Sequence, residues 1–201
     1  MTQEPIIIVS GLPRSGTSMM MKMLEAGGMP VLTDNWRSAD EDNPKGYYEF
    51  ERVKQIKTDQ TWLPHAQGKA VKMISELLQY LPPGYHYRVI FMHRKLEETL
   101  ASQRQMLRRR GEPSEVISDE KMAELFRKHL HKLEGWLATQ SNFEVLDVHY
   151  SEVMSNPGTQ ATKINEFLGN SLETERMMQV VDQNLYRQRK QIFNSGKGLS
   201  E

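Results

Sequence analysis

The sequence predicts an α/β protein with three layers, in which a mainly parallel sheet lies between two layers of helices. Two observations support this fold class. An apolar, β-branched run at residues 5–10 leads into a glycine-containing loop and then a helix, which is the first half of an α/β unit. Segments with strand character then alternate with helical segments along the chain, and this alternation predicts parallel strands joined by helices.

The first half of the chain begins with that strand, because short runs of Ile and Val are typical of strands buried on both faces. Loop 1 (residues 11–16) follows, and residues 17–28 predict a helix that ends in a glycine pair. The polar residues 33–48 predict a surface loop. Residues 50–63 then predict a helix, and residues 68–74 a short strand.

The second half repeats the alternation with longer elements. Residues 87–94 predict a strand and residues 96–110 a helix, with a loop at 111–118. Asp119 is the predicted cap of an amphipathic helix that extends to Leu137. A strand at 143–150 and a helix at 156–169 follow, with Pro near the start of that helix and Gly at its end.

These elements predict one domain over residues 1–201, with a core at about 5–170 and a tail at 171–201 that is first helical and then polar. Lys plus Arg and Asp plus Glu both total 26, so no overall charge favours nucleic acid or an anionic membrane. The chain has no cysteine, no basic-then-apolar leader and no apolar run of the roughly 20 residues that a membrane helix needs. We therefore expect a cytoplasmic protein without nucleic-acid or membrane partners.

Loop 1 has the outline of a phosphate-binding loop with one departure. In ATP- and GTP-binding loops a lysine follows the second glycine, whereas this chain has Thr17 there and Arg14 inside the loop. The next clear strand ends in His93 and Arg94, where a magnesium-dependent NTPase would have an acidic residue. Both departures predict a doubly anionic nucleotide group bound without a metal. The alternative is a glycine turn whose hydroxyls only cap a helix.

Two motifs together resemble the PAPS-dependent sulfotransferase family, in which PAPS is 3′-phosphoadenosine 5′-phosphosulfate. The family's P-[RK]-[ST]-G-T-[ST] loop matches at every position, and Arg94 with Ser102, eight residues later, matches its second motif. Residues 148–169 are similar to a third, mainly structural segment. The resemblance implies a P-loop NTPase-like fold, with 5′-phosphosulfate bound by the loop and 3′-phosphate by Arg94 and Ser102. The loop residues are Pro13, Arg14, Ser15, Gly16, Thr17 and Ser18.

The resemblance also implies the reaction, an in-line transfer of the sulfuryl group from PAPS to a hydroxyl or amine, which leaves PAP. Arg14 and Lys72 are the candidates that stabilise the leaving group, Lys72 because its strand is similar to the F-I-K-x-H strand of cytosolic members. Ile74 replaces the histidine base of that motif. Other branches use a glutamate after the first helix, so Asp34 and Glu49 are both candidates for the base. The alternative for each is a solvent-exposed loop acid.

Two other functions remain open at the level of sequence. A P-loop kinase of nucleotides or small molecules is disfavoured by Thr17 and Arg94. A nucleotide-binding protein that kept the fold without the chemistry would also fit, since the histidine base is missing. The expected acceptor is a small molecule, selected by residues 33–65 and 108–120, whose chemical identity the sequence does not indicate. No metal site and no oligomeric state is predicted.

Overall fold

A computed structural model describes residues 4–34, 48–113 and 117–182. Its centre is a four-stranded sheet in the order β2-β1-β3-β4, and all three strand pairs are parallel. The predicted parallel α/β fold is therefore confirmed. The strands are β1 (Ile6–Gly11), β2 (Ala70–Lys72), β3 (Tyr87–His93) and β4 (Phe143–His149). Because the strands are parallel, their carboxyl ends lie along one edge of the sheet, which is where open α/β sheets bind ligands.

The central strand β1 is buried along its whole length, as its β-branched composition predicts. Ile7 and Val9 belong to the apolar core on one face of the sheet, and Ile6 and Ile8 belong to the core on the other face. This alternation follows from the two-residue period of a strand. Helices must therefore cover both faces, and they form the two outer layers.

The first layer contains α1 (Thr17–Ala26), α5 (Tyr150–Ser155), α6 (Pro157–Leu168) and α7 (Thr174–Gln179). Met20, Met21 and Met23 of α1 are fully buried in this core, with Ile164 of α6 and Met177 of α7. Flexible thioether side chains fill irregular gaps of this kind well. As the sequence predicts, α1 ends at a glycine pair, and α6 has Pro at its first position and Gly169 at its end in the left-handed conformation.

The second layer contains α2 (Leu63–Ala66) and α4 (Asp119–Leu137), with 3₁₀ helices at Glu51–Gln55 and Ser75–Tyr80. Trp62, Leu63 and Leu133 pack there against the face of the sheet that carries Ile6 and Ile8. The helix α3 (Leu96–Arg109) packs through Leu100 against Leu12 of loop 1 and against α4. Loop 1 is thus supported from the second layer, whereas the helix that follows it belongs to the first.

Two details of the predicted elements are wrong. Residues 50–63 form a short 3₁₀ helix and then turns, because Asp59 accepts hydrogen bonds from Arg52 and from the backbone and hydroxyl of Thr61. Such side-chain bonds to nearby backbone favour a turn over a helix. The cap of α4 is Ser118, whose hydroxyl accepts from the Lys121 amide, and Asp119 is the first residue of the helix.

Part of the predicted loop 33–48 and most of the polar tail lie outside the described residues, so those predictions stay untested. Within the described ranges, no helix is long and apolar enough to cross a membrane.

Candidate functional site

Loop 1 turns sharply between β1 and α1. Gly11, Arg14 and Gly16 all have positive φ angles, 148°, 68° and 102°, and the Ser15 amide donates to the Leu12 carbonyl at 3.2 Å. Gly16 is the N-cap of α1, where no side chain caps the helix and no acidic residue occupies the first turn. An uncapped helix N-terminus without nearby negative charge is suited to an anion.

The two glycines of loop 1 are required by close packing as well as by φ. A Cβ on Gly16 would lie 2.5 Å from Cδ2 of Tyr150, and a Cβ on Gly11 would lie 2.6 Å from the Met92 carbonyl oxygen. The first contact brings the start of α5, directly after β4, against loop 1, and the second brings the end of β3 against it. Both glycines therefore let the backbone of the loop approach the neighbouring strand ends.

Several of the residues predicted to bind the sulfuryl donor lie in or beside this turn. Pro13 and Arg14 are half-buried in the loop, and Thr17 and Ser18 are the first two residues of α1. The Ser15 side chain is 1% exposed, and its hydroxyl has no hydrogen-bond partner. Because a buried hydroxyl without a partner is unfavourable, Ser15 is chemically suited to a bound phosphate or sulfate oxygen.

Arg94 follows the end of β3 and is almost fully buried. Its side chain is 8% exposed, and Nη1 donates to the Arg14 carbonyl oxygen at 3.1 Å. Nε donates to the Glu98 carboxylate at 3.1 Å, and the guanidinium lies over the Tyr150 ring, 4.5 Å from its centroid. A carboxylate on one side and an aromatic face on the other fix the orientation of this cation.

The two sequence motifs meet through a direct side-chain contact. Nε of Arg14, in loop 1, donates to the hydroxyl of Ser102, on α3, at 3.0 Å. Together with the bond from Arg94 to the Arg14 backbone, this contact brings Arg14, Arg94 and Ser102 into one cluster. Two cations and a hydroxyl can bind a phosphate group there.

Lys72, with Glu49 beside it, lies on the side of β1 opposite β3. Lys72, the last residue of β2, donates from Nζ to the Ser18 hydroxyl at 3.3 Å. Nζ also lies 3.9 Å from Oε1 of Glu49, and these side chains are 15% and 24% exposed. The structure therefore brings a lysine, a carboxylate and a loop hydroxyl together beside the N-terminus of α1.

Asp34 has different surroundings from Glu49. Its carboxylate accepts a hydrogen bond from the Glu51 amide at 2.6 Å, and its own amide donates to the Glu49 carbonyl at 3.2 Å. The two acids are thus close in space, but their described contacts differ. The Glu49 carboxylate is close to Lys72, whereas the Asp34 carboxylate binds the backbone.

The sequence analysis did not identify Glu98 and Tyr150. Glu98 is 3% exposed and lies four residues, about one helical turn, after Arg94. This i,i+4 spacing of opposite charges is the sequence pattern that predicts an ion pair between them. Tyr150 has no such local signal because β4 brings it to the site. Burial raises the pKa of the Tyr150 hydroxyl, against the effect of nearby Arg94, so the hydroxyl stays neutral.

The histidines form no metal site in the described part of the chain. His93 bonds through Nε2 to Asp147 at 2.6 Å, and its ring packs beside that of His149. No group of three His, Asp or Glu side chains in the described ranges is arranged to hold a metal ion. His129 contacts Ser75 at 2.8 Å, on the sheet face opposite α1.

Comparison with known proteins shows which family and which folds the chain resembles. The sulfotransferase domain model matches residues 4–195 of the chain. The fold is similar to that of mouse sulfotransferase SULT7A1 complexed with PAP, with a TM-score of 0.52 and 18% identity, over 100% of this chain and 69% of that one. It is also similar to the sulfotransferase STF1 of Mycobacterium tuberculosis, with a TM-score of 0.56 and 16% identity, over 96% and 77% of the two chains.

A third similar structure is a domain rather than a whole enzyme. The sulfotransferase domain of a Synechococcus olefin synthase has a TM-score of 0.51 and 14% identity, over 99% of this chain and 98% of that domain. No curated protein sequence matches the chain significantly. At these identities the structural matches establish the fold, and the family match carries the classification.

Proposed function

Because the chain belongs to the sulfotransferase domain family, which consists of transferase enzymes, we propose that PAPS is its sulfuryl donor and that a small-molecule hydroxyl or amine is its acceptor. The observation that carries this proposal is the 3.0 Å contact between Arg14 and Ser102. It joins the loop that we propose for the 5′-phosphosulfate to the pair that we propose for the 3′-phosphate. ATP has no 3′-phosphate, so a kinase would not need this second cluster.

The donor is proposed to bind across loop 1 and α3. Pro13 through Ser18 would surround the 5′-phosphosulfate, with backbone amides from residues after Pro13 and with the hydroxyls of Ser15, Thr17 and Ser18. Arg94 and Ser102 would bind the 3′-phosphate, with Glu98 and Tyr150 holding the Arg94 side chain in place. A guanidinium in a fixed orientation loses little further freedom on binding.

The acceptor is proposed to be activated by Glu49. In the transfer step the acceptor oxygen or nitrogen forms a bond to sulfur, while the bond from sulfur to the bridging phosphate oxygen breaks. Glu49 takes the proton of the acceptor, and Lys72 and Arg14 stabilise the negative charge on the leaving phosphate. The 3.9 Å separation between Lys72 and Glu49 supports this division of roles. Since positive side chains stabilise the leaving group, the proposed mechanism has no metal.

The remaining features of the proposal concern the whole chain. We propose that it acts as one domain, in agreement with a family model that spans residues 4–195, and that it acts in the cytoplasm. The four arginines among residues 104–110 follow Ser102 towards the end of α3. We treat them as a solvated helix end, since cations are favoured near a helix C-terminus.

Thermal-shift measurements with PAP and with magnesium-ATP test the donor class. Stabilisation by PAP that persists in EDTA supports the proposal, whereas a response to magnesium-ATP alone contradicts it. Turnover of PAPS with a panel of phenols, alcohols and amines then separates an enzyme from a binding protein of the same fold.

A further inference from the structure

We propose that Asp34 is a positioning residue that holds Glu49 in its catalytic place, and not a second base. The inference rests on the proposed function, in which Glu49 accepts the proton of the acceptor. It concerns a group of contacts that we call the Glu49 clamp, formed by Thr33, Asp34 and Tyr48 around residues 49–51.

The clamp fixes the backbone on both sides of the Glu49 side chain. The Glu49 carbonyl oxygen accepts one bond from the Thr33 hydroxyl at 2.9 Å and one from the Asp34 amide at 3.2 Å. Two residues later, the Glu51 amide donates to the Asp34 carboxylate at 2.6 Å. The path of the chain through residues 49–51 is therefore held by three hydrogen bonds with Thr33 and Asp34.

Tyr48 attaches the same segment to α1. Its hydroxyl donates to the carboxylate of Glu25, in the last turn of α1, and burial with this partner raises the pKa of the Tyr48 hydroxyl. Tyr48 also has a positive φ of 53°, a conformation that non-glycine residues adopt only where surrounding contacts hold it. The helix that begins at loop 1 thus anchors the residue next to Glu49.

The two carboxylates consequently suit different tasks. The Asp34 carboxylate accepts from the Glu51 amide at 2.6 Å, so its oxygen holds the backbone next to Glu49. Glu49 has its backbone held and its carboxylate directed to Lys72. A misplacement of about 1 Å at a reacting group can lower a rate by about 100-fold, so a clamp on Glu49 has a catalytic consequence.

Two substitutions of Asp34 separate positioning from proton transfer. Asp34→Asn keeps an oxygen that can accept from the Glu51 amide, but it cannot act as a base. Asp34→Ala removes the acceptor. We expect Asp34→Asn to keep kcat within about 3-fold and the pH profile of the wild type, and Asp34→Ala to lower kcat by about 10- to 100-fold with KM for PAPS unchanged. If Asp34→Asn is as inactive as Asp34→Ala, Asp34 is a base and the inference is wrong.

A structural measurement tests the clamp without reference to turnover. In crystal structures of the PAP-bound variants, the distance from Lys72 Nζ to Glu49 Oε1 should stay near the wild-type 3.9 Å in Asp34→Asn and increase in Asp34→Ala. Glu134→Ala removes an exposed carboxylate on α4 and is the matched control, with kcat and the distance both unchanged. An unchanged distance in Asp34→Ala contradicts the clamp. A wild-type protein that turns over no acceptor contradicts the proposed function instead.

Discussion

The two sides of the site are held together in different ways. On the side that we propose for the sulfuryl donor, loop 1 and Arg94 lie at the ends of central strands and Ser102 lies on a long helix, and their contacts are largely buried. On the acid side, Lys72 ends the three-residue edge strand β2, and Glu49 lies on a segment outside any helix or strand. The positions of the proposed donor-binding residues therefore follow from the sheet and its helices. The position of the Glu49 carboxylate depends instead on individual side-chain contacts.

The acid side should control the rate of transfer. Replacing Glu49 with Gln removes the proposed base while keeping its size, and we expect kcat to fall by about 100- to 10,000-fold. Because the donor contacts are elsewhere, the affinity for PAP should not change. Steady-state kinetics and calorimetry of the same preparation measure both quantities. A kcat within a factor of three of the wild type would remove Glu49 from the mechanism.

The donor side should control affinity. Arg94→Lys keeps the positive charge beside buried Glu98 but loses the planar fork, so we expect PAP to bind about 10- to 100-fold more weakly. AMP, which has no 3′-phosphate, should bind this variant and the wild type equally. Calorimetric titration with both nucleotides measures the difference. Equal losses for PAP and AMP would mean that Arg94 supports the fold of the loop and does not contact the 3′-phosphate.

The packing of the donor side should appear in the stability of the protein. Gly16→Ala places a methyl group 2.5 Å from the Tyr150 ring at a φ of 102°, and we expect a loss of about 2–4 kcal/mol in the free energy of unfolding. Gly84→Ala is the control, because a Cβ there has no heavy atom within 4 Å. Urea unfolding of the two variants makes the comparison. Similar losses would show that loop 1 is not closely packed against Tyr150.

A smaller effect is expected at Ser102. Ser102→Ala removes the acceptor of the Arg14 contact and one proposed donor to the 3′-phosphate, so PAP should bind about 5- to 10-fold more weakly. Ala101→Ser, one residue earlier on the same helix, is a suitable control for a changed hydroxyl on α3. Unchanged PAP affinity in Ser102→Ala would separate this hydroxyl from the donor site.

The contrast between the two sides also explains what the sequence could predict. Short local sequence patterns predict loop 1, Arg94 and Ser102. The loop is a glycine pattern that follows a strand, and the other two residues are an arginine at a strand end with a serine two helical turns later. Tyr150 reaches the site only through the register of β4 with β3, and the choice between Asp34 and Glu49 depends on contacts across residues 33–51. The failed helix prediction at 50–63 has a similar cause, because Asp59 forms a turn that periodicity does not reveal.

The most direct test of the donor proposal is a calorimetric comparison of PAP with AMP on the wild-type protein in EDTA. If Arg94 and Ser102 bind a 3′-phosphate beside a metal-free loop 1, PAP should bind at least about 100-fold more tightly than AMP, with no effect of added magnesium. Equal affinities for the two nucleotides, or binding of PAP only with magnesium, would contradict the central claim.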